Sequence, residues 1–121
     1  MSVLVEIQEE FGIVHLGELD LAEHGNELRE LLDQALNTDG VRNVVIDFTG
    51  AKYCSSSVIN DLLWARKRLA KKEGELRLCA LPDHVREKLH FLSLDRVFEM
   101  FDSLGEALAG GRQSEAGDEE Q

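Results

Sequence analysis

The chain has 121 residues, of which 43% are hydrophobic and 31% are charged, which is typical of one globular domain whose core needs no disulfide or metal to be stable. Its net charge of −11 argues against nucleic acid as a partner, because phosphate backbones repel an acidic surface. The sequence contains neither a positively charged leader with an apolar stretch nor an apolar run near the ~18 residues of a membrane span. We therefore expect a soluble cytoplasmic protein that does not insert into a membrane.

The first predicted elements are a β-hairpin and an amphipathic helix. Apolar residues alternate from Val3, and an extended pattern resumes in IVHL after Phe11-Gly12. A helix follows, with Asn26 as its predicted N-cap and a turn at Gly40 as its end. Its apolar positions have the i, i+3, i+4, i+7, i+8 spacing of one helix face: Leu28, Leu31, Leu32, Ala35 and Leu36.

The stretch from Val44 to Gly74 changes character at three consecutive serines. Before them, VVIDF is a β-branched and aromatic run typical of a strand that is covered on both faces. After them, apolar residues recur at helical spacing until Gly74. The serines therefore lie at a helix start, where unpaired N–H groups and the helix dipole favour hydroxyl caps and anionic groups such as phosphate. These serines are Ser55, Ser56 and Ser57.

Two strands and two helices are predicted after that helix. ELRLCAL is a second buried strand, and Pro82-Asp83 opens a helix that extends to about Leu92. RVFEMF is the last strand, and Ser103 with Glu106 forms a capping box for a final short helix. The order β-β-α-β-α-β-α-β-α predicts an α/β fold with a mixed sheet of four to five strands and about four helices packed on it.

Crossover handedness and composition add two expectations. Right-handed crossovers place consecutive strands parallel and put the three serines at the carboxyl edge of the sheet, where such folds usually bind their ligands.

We expect one domain over residues 1–109. Residues 110–121 (GGRQSEAGDEEQ) lack apolar periodicity and are predicted to be a disordered acidic tail, with a docking tail as the alternative.

Four segments together resemble a known family. GELDL, VVIDFTG, the serine-rich helix start and LDRVFEMFDSLGEAL are similar to the STAS family, named for sulfate transporters and anti-sigma factor antagonists. The resemblance extends from about Val3 to Leu108 and implies the STAS fold. In free-standing bacterial members it implies partner switching, in which the domain binds an anti-sigma factor or serine kinase and phosphorylation of one serine releases it.

The family motif can be matched to the helix start residue by residue. Members of this kind commonly carry Asp-Ser-Ser-Gly or Asp-Ser-Thr-Gly. Ser55 stands where the Asp would be, and Val58 replaces the Gly. The match implies Ser57 as the phosphoacceptor, with Ser56 as second choice. Asp61 is unusual at a position where the family tends to have a small or apolar residue.

A phosphate on Ser57 has predictable local effects. The helix start stabilises the added charge by roughly 0.3 to 1 kcal/mol, whereas a docked partner would have to desolvate it or meet it with like charge. Asp61 lies four residues further on the same face and opposes the phosphate as a like-charge neighbour. The predicted partner-binding surface consists of Glu18, Asp20, Leu21, Ser55, Ser56, Ser57, Val58, Asn60 and Asp61.

Other interpretations of the same residues stay open. The serines can be a redundant helix cap. The domain can be a non-phosphorylated scaffold in a stressosome-like or transporter-associated assembly, or a module that binds a small anion or nucleotide at the helix start. RKRLAKK over residues 66–72 is interpreted as a solvated helix end rather than a nucleic-acid patch, because cations are favoured at a helix C-terminus.

Catalytic and metal chemistry find little support in the sequence. Cys54 can be a reactive thiol at the helix start, although a small buried spacer is the favoured interpretation, and Cys79 is predicted to lie in the core. The four histidines are scattered without HExxH or paired carboxylate spacing. GxSxG, P-loop and GxGxxG motifs are absent. We expect no enzyme, no metal and no cofactor.

Overall fold

The computed structural model describes residues 5–17, 25–52 and 54–109, without the side chains of residues 25–27. The order of elements confirms the predicted one. The elements are β1 (Val5–Gln8), β2 (Phe11–His15), α1 (Gly25–Leu36), β3 (Asn43–Asp47), α2 (Ser56–Ala70), β4 (Leu76–Cys79), α3 (Asp83–Phe91), β5 (Glu99–Phe101) and a last helix, α4, over residues 104–109.

The strands form one five-stranded sheet in the order β1-β2-β3-β4-β5. β1 is antiparallel to β2, and the pairs β2-β3, β3-β4 and β4-β5 are parallel. The sheet is therefore mixed, as predicted. Because strands β2 to β5 run in one direction, their carboxyl ends meet at one edge, and the segment that leads into α2 leaves β3 at that edge.

Alternating side chains of the central strands supply two cores. In β3, Val44 and Ile46 face the larger core, to which helices α1, α2 and α3 contribute, while Val45 faces a smaller core beneath α4. Every residue of β3 is buried, which confirms the prediction of a strand covered on both faces. The larger core includes Phe48, Leu32 and Leu62, all with no exposed surface.

The hairpin and the first helix differ from their predicted bounds. The hairpin turn lies at Glu9 and Glu10, with Glu9 at a φ of 57°, so that Phe11 and Gly12 belong to β2. A Cβ atom at Gly12 would lie 3.1 Å from the Cβ of Ala35 in α1, so a larger residue there would crowd the helix. α1 begins at Gly25, which places Asn26 inside the helix, so the prediction of Asn26 as N-cap was wrong.

The last strand is half as long as predicted. RVFEMF was expected to be extended throughout, but residues 96–98 form a turn in which the N–H groups of Val97 and Phe98 donate to the carbonyl of Leu94. Only Glu99–Phe101 pairs with β4. The cap of α4 is as predicted at Ser103, whose Oγ accepts from the Glu106 N–H at 3.2 Å, while the Glu106 carboxylate accepts from the N–H of Asp102.

Candidate functional site

The three serines lie at the start of α2, and each is exposed. Ser55 is the N-cap, with extended backbone angles of φ −81° and ψ 171°, and its Oγ accepts from the Val58 N–H at 3.4 Å. Ser55 therefore makes the helix cap. The hydroxyls of Ser56 and Ser57 lie in the first turn of α2 and do not make this capping hydrogen bond.

The segment that presents the serines is fixed from both sides. The Phe48 N–H donates to the carbonyl of Cys79 at 3.0 Å, which continues the sheet contact past the end of β3. The ammonium group of Lys88 in α3 donates to the carbonyl of Cys54 at 2.9 Å, directly before the cap. Gly50 turns the chain with a φ of 80°, a conformation that glycine adopts without strain. The helix start is thus positioned by β4 and α3 together.

Asp61 is placed differently from what the sequence indicated. It lies one helical turn after Ser57, yet its side chain is only 10% exposed, and its Oδ1 accepts from Nε of Arg29 in α1 at 3.0 Å. The guanidinium of Arg29 also lies over the ring of Trp64, 4.2 Å from the centroid. The like charge that we expected Asp61 to present beside a phosphate on Ser57 is thus paired with a cation from another helix.

The structure brings together only part of the predicted partner surface. Ser55, Ser56, Ser57 and Asn60 share the exposed start of α2. Val58 has no exposed surface and packs in the larger core, which removes its side chain from any docking surface. Asp61 is only 10% exposed and pairs with Arg29. The other three predicted members lie outside the described residues: Glu18, Asp20 and Leu21.

Both cysteines are buried, and their thiols have raised pKa values that make them less reactive. Burial raises the pKa of the Cys54 thiol, and the nearby Lys88 only partly opposes this effect. The alternative of a thiol activated by the helix start is therefore wrong, because a reactive cysteine needs a lowered pKa. Burial, with the charge of Asp47, raises the pKa of Cys79 to about 12, and its position in the smaller core confirms the prediction.

The basic segment at the end of α2 is a solvated helix end. Arg66 and Lys67 are exposed, and Arg68 lies over Trp64, 5.1 Å from the ring centroid. The ammonium group of Lys72 donates to the carbonyl of Leu36 at 2.9 Å, which satisfies the C-terminal end of α1. These positions agree with the predicted role of the cations at the C-terminal end of the dipole.

A cluster at the carboxyl edge was missed by the sequence analysis. His15, at the end of β2, lies between two carboxylates: Nδ1 is 2.8 Å from Asp47 Oδ2 and Nε2 is 2.9 Å from Glu6 Oε1. Asp47 also accepts from the N–H and the hydroxyl of Thr49. The pairing registers of β1 with β2 and of β2 with β3 create this cluster, and no spacing in the sequence indicates it.

The electrostatics of this cluster are coupled. Burial opposes a charge on His15, but its hydrogen bonds to Glu6 and Asp47 outweigh that effect and raise the pKa of His15. Burial also opposes the charge on Asp47, but the hydrogen bonds from Thr49 and then His15 prevail and lower the pKa of Asp47. The cluster therefore favours an imidazolium between two carboxylates.

The described residues contain neither a cluster of metal-binding side chains nor a helix that could span a membrane. Over residues 5–17, 25–52 and 54–109, the His, Cys, Asp and Glu side chains form no group with the arrangement of a metal site. None of the helices in that part of the chain combines the length and hydropathy needed to cross a membrane.

Comparison with known proteins gives a consistent family. The model of the STAS domain matches residues 2–107. BtrV of Bordetella bronchiseptica, named as a candidate anti-sigma factor antagonist, is 36% identical over 70 residues, which are 58% of this chain. The matched segment spans 60% of the length of BtrV.

Solved structures show the same fold at low sequence identity. SpoIIAA, a Bacillus cell-fate determinant and anti-sigma factor antagonist, superposes in its unphosphorylated form with a TM-score of 0.76 at 21% identity, over 90% of this chain and 95% of SpoIIAA. Its phosphorylated form superposes with a TM-score of 0.67. The Thermotoga maritima protein TM1081 gives a TM-score of 0.75 at 16% identity, over 89% of this chain and 92% of that protein.

Proposed function

Because the chain belongs to the STAS domain family, we propose that it is an anti-sigma factor antagonist that works by partner switching in the bacterial cytoplasm. In this proposal it binds an anti-sigma factor of the serine kinase type through the exposed start of α2. Binding sequesters that partner and frees a sigma factor to direct transcription. Phosphorylation of Ser57 then ends the interaction.

The observation that carries the proposal is that one of the three serines caps α2 while another is exposed in its first turn. Ser55 makes the helix cap, so Ser57 is exposed in the first turn with a hydroxyl that α2 does not need for its own stability. The relative BtrV is named as a candidate for the same role, and SpoIIAA is known in a phosphorylated and an unphosphorylated form. These relatives support the proposal that the chain is an anti-sigma factor antagonist controlled by phosphorylation.

The chemistry of release follows from the position of Ser57. The kinase would transfer the γ-phosphoryl group of ATP, so that a bond forms between Oγ and phosphorus, the bond to the ADP leaving group breaks and the hydroxyl proton departs. The product adds about 1.5 to 2 negative charges to the contact surface. A partner docked on Ser57 would have to desolvate that charge. The helix start itself tolerates it through the dipole.

Catalysis belongs to the partner in this proposal. The chain acts as substrate and binding surface, and the Ser55 hydroxyl meets a backbone N–H group rather than a base. The loop residues Glu18 and Asp20 remain predicted members of the surface, where they would add like charge against the phosphate.

The proposal can be tested by binding and by mass spectrometry. A serine-kinase anti-sigma factor from the native organism is titrated with the unmodified chain, with Ser57→Asp and with the matched control Ser56→Asp. We expect Ser57→Asp to weaken binding by at least tenfold, and Ser56→Asp to weaken it less. In parallel, peptide mapping of the native protein, with a phosphatase-treated sample, is expected to find phosphate on Ser57.

Two results would contradict the proposal. One is the absence of phosphate on Ser57 across growth and stress conditions. The other is a Ser57→Asp variant that binds the kinase-type partner as tightly as the unmodified chain does.

A constitutive scaffold is the second candidate, and the motif departures favour it. Val58 replaces the glycine of the family motif and is fully buried, and Ser55 replaces the aspartate. A surface altered in this way suits a constant partner in a larger assembly. Assembly that is insensitive to kinase and ATP would support this function in place of partner switching.

A further inference from the structure

Four side chains of α2 form a stripe that begins at the proposed phosphoacceptor. Ser57, Asp61, Trp64 and Arg68 have the spacing i, i+4, i+7, i+11, which places them along one side of the helix. Asp61 and Trp64 both contact Arg29, so this side of α2 faces α1. The core face is adjacent to it, with the fully buried residues Val58, Leu62, Ala65 and Leu69.

Arg29 crosses from α1 to the middle of this stripe. Its Nε donates to Asp61 at 3.0 Å, and its guanidinium lies 4.2 Å from the centroid of Trp64. Within the described part of the chain, the Arg29 side chain donates this hydrogen bond through Nε. The side chain is also 44% exposed. Because a guanidinium carries five N–H groups in a fork, Nη1 and Nη2 retain the capacity to bind a second anion.

Arg29 contacts Asp61, which lies about one helical turn after Ser57. Residues four apart on a helix have Cβ atoms roughly 5 to 6 Å apart, and the phosphate of a phosphoserine extends beyond its Oγ. Arg29 already reaches Asp61, so rotation of its side chain away from Trp64 would turn the η nitrogens toward the end of α2 that carries Ser57. Ser56 lies about 100° away around the helix, on the side that does not face α1.

Asp61 determines how Arg29 can respond. The carboxylate is nearly buried, and a buried charge that loses its partner is strongly destabilising. Arg29 is therefore expected to stay near Asp61 whether or not Ser57 is phosphorylated. The contact that can be given up is the stacking of Arg29 on Trp64, which is weaker. Arg29 from α1 and Asp61 from α2 would be the described charged groups beside the phosphate, with exposed Asp33 one turn beyond Arg29 and Arg68 about three turns from Ser57. The predicted surface residues Glu18 and Asp20 would add like charge there.

We propose that Arg29 is the phosphate receptor of this domain, which bridges Asp61 and a phosphate on Ser57 and leaves the ring of Trp64 when the phosphate is present. The inference rests on the proposed function, since it takes Ser57 as the phosphoacceptor. It adds a mechanism: the phosphate does not only block the contact surface, it also ties the start of α2 to α1. Asp61 thereby serves as the anchor of the receptor.

The test uses phosphoserine incorporated genetically at position 57, with position 56 as the matched control, so that no kinase or partner is needed. The chain has one tryptophan, so its fluorescence reports on Trp64 alone. We expect phosphatase treatment to change the emission of the Ser57-phosphorylated chain and to leave that of the Ser56-phosphorylated chain unchanged. An equal response at both positions, or none at position 57, would overturn the inference.

A second readout follows the phosphate itself. In ³¹P NMR titrations, Arg29→Gln is expected to raise the second pKa of the Ser57 phosphate by about half a unit or more, because the phosphate loses a cation and Asp61 is left as a like charge. The same substitution should shift the Ser56 phosphate less. A Ser57 phosphate whose pKa is insensitive to Arg29→Gln contradicts the proposal.

Arg29→Gln leaves Asp61 unpaired and can unfold the chain, so the double variant Arg29→Gln/Asp61→Asn provides a neutral pair. In the folded double variant, the fluorescence response of the Ser57-phosphorylated chain should be lost, and its persistence would refute the receptor role.

The proposed function and the receptor role of Arg29 can be contradicted independently of each other. A chain that shows the Trp64 response but binds no anti-sigma factor would support Arg29 as the phosphate receptor and contradict the proposed function. Release of the partner without any Trp64 response would support the proposed function and contradict the role of Arg29.

Discussion

His15 lies between two carboxylates that reach it from separate strands, and this arrangement makes the stability of the fold depend on pH. The pKa of His15 is raised above its usual 6.5, so its contribution is complete below that value and is lost as the pH rises through the pKa of the folded state. We expect the free energy of unfolding to fall by about 0.5 kcal/mol between mildly acidic and mildly alkaline pH, since the pair is partly exposed. Urea titrations at several pH values measure this.

The control for this prediction is a pair of histidine variants. His15→Gln should flatten the pH dependence in that range, while His84→Gln at an exposed position of α3 should leave it unchanged. Asp47 acts in the opposite direction: the pKa of Asp47 is lowered below its usual 3.8, so its contribution is present above that value and is lost in acid. An identical pH profile for His15→Gln and the unmodified chain would refute the assignment.

At the scale of elements, the start of α2 separates a structural serine from the proposed functional one. Ser55→Ala removes the hydroxyl that accepts from the Val58 N–H, and we expect it to cost about 1 kcal/mol. This corresponds to a decrease in Tm of roughly 4 °C for a domain of this size. Ser56→Ala and Ser57→Ala should change Tm much less, which differential scanning calorimetry can determine. An equally small change in Tm at all three positions would mean that the cap is redundant, which is the alternative interpretation of the three serines.

The elements whose formation is decided locally were predicted well from the sequence. α2 has an apolar stripe, a serine cap and a glycine stop, and β3 has a run of branched residues, so pattern alone indicates both. The bounds that were wrong depend on contacts that no periodicity records. Gly12 pairs with Val44 across the sheet and lies close to Ala35 of α1, and the N–H groups of Val97 and Phe98 donate to the carbonyl of Leu94 in a local turn.

At the scale of the whole molecule, the candidate site was predictable only where its residues are neighbours in sequence. The serines and their position at the carboxyl edge follow from one stretch of chain and the handedness of crossovers. The partner of Asp61 does not, because Arg29 lies 32 residues earlier and meets it only when α1 packs beside α2. The same holds for His15, whose two carboxylates are contributed by β1 and β3.

The two unequal cores predict where the domain ends. α4 covers the smaller core with Leu104, Ala107 and Leu108, and the Ala107 carbonyl accepts from the guanidinium of buried Arg77 at 2.7 Å. A chain that ends at residue 103 exposes this face of the sheet and leaves Arg77 without that acceptor. We expect it to lose about 3 kcal/mol of unfolding free energy, from apolar surface returned to water and a buried donor left unsatisfied.

A chain that ends at residue 109 keeps α4 and removes only the acidic segment predicted to be a solvating tail. Its unfolding free energy should lie within about 0.5 kcal/mol of the full chain, because surface residues away from a packed contact contribute little. Urea denaturation of the three lengths, at matched salt, makes the comparison. If removal of residues 110–121 costs as much as removal of α4, that segment packs on the domain, and a boundary after residue 109 is wrong. If neither truncation matters, α4 does not hold the smaller core, and the burial of Ile13, Val45 and Cys79 must have another cause.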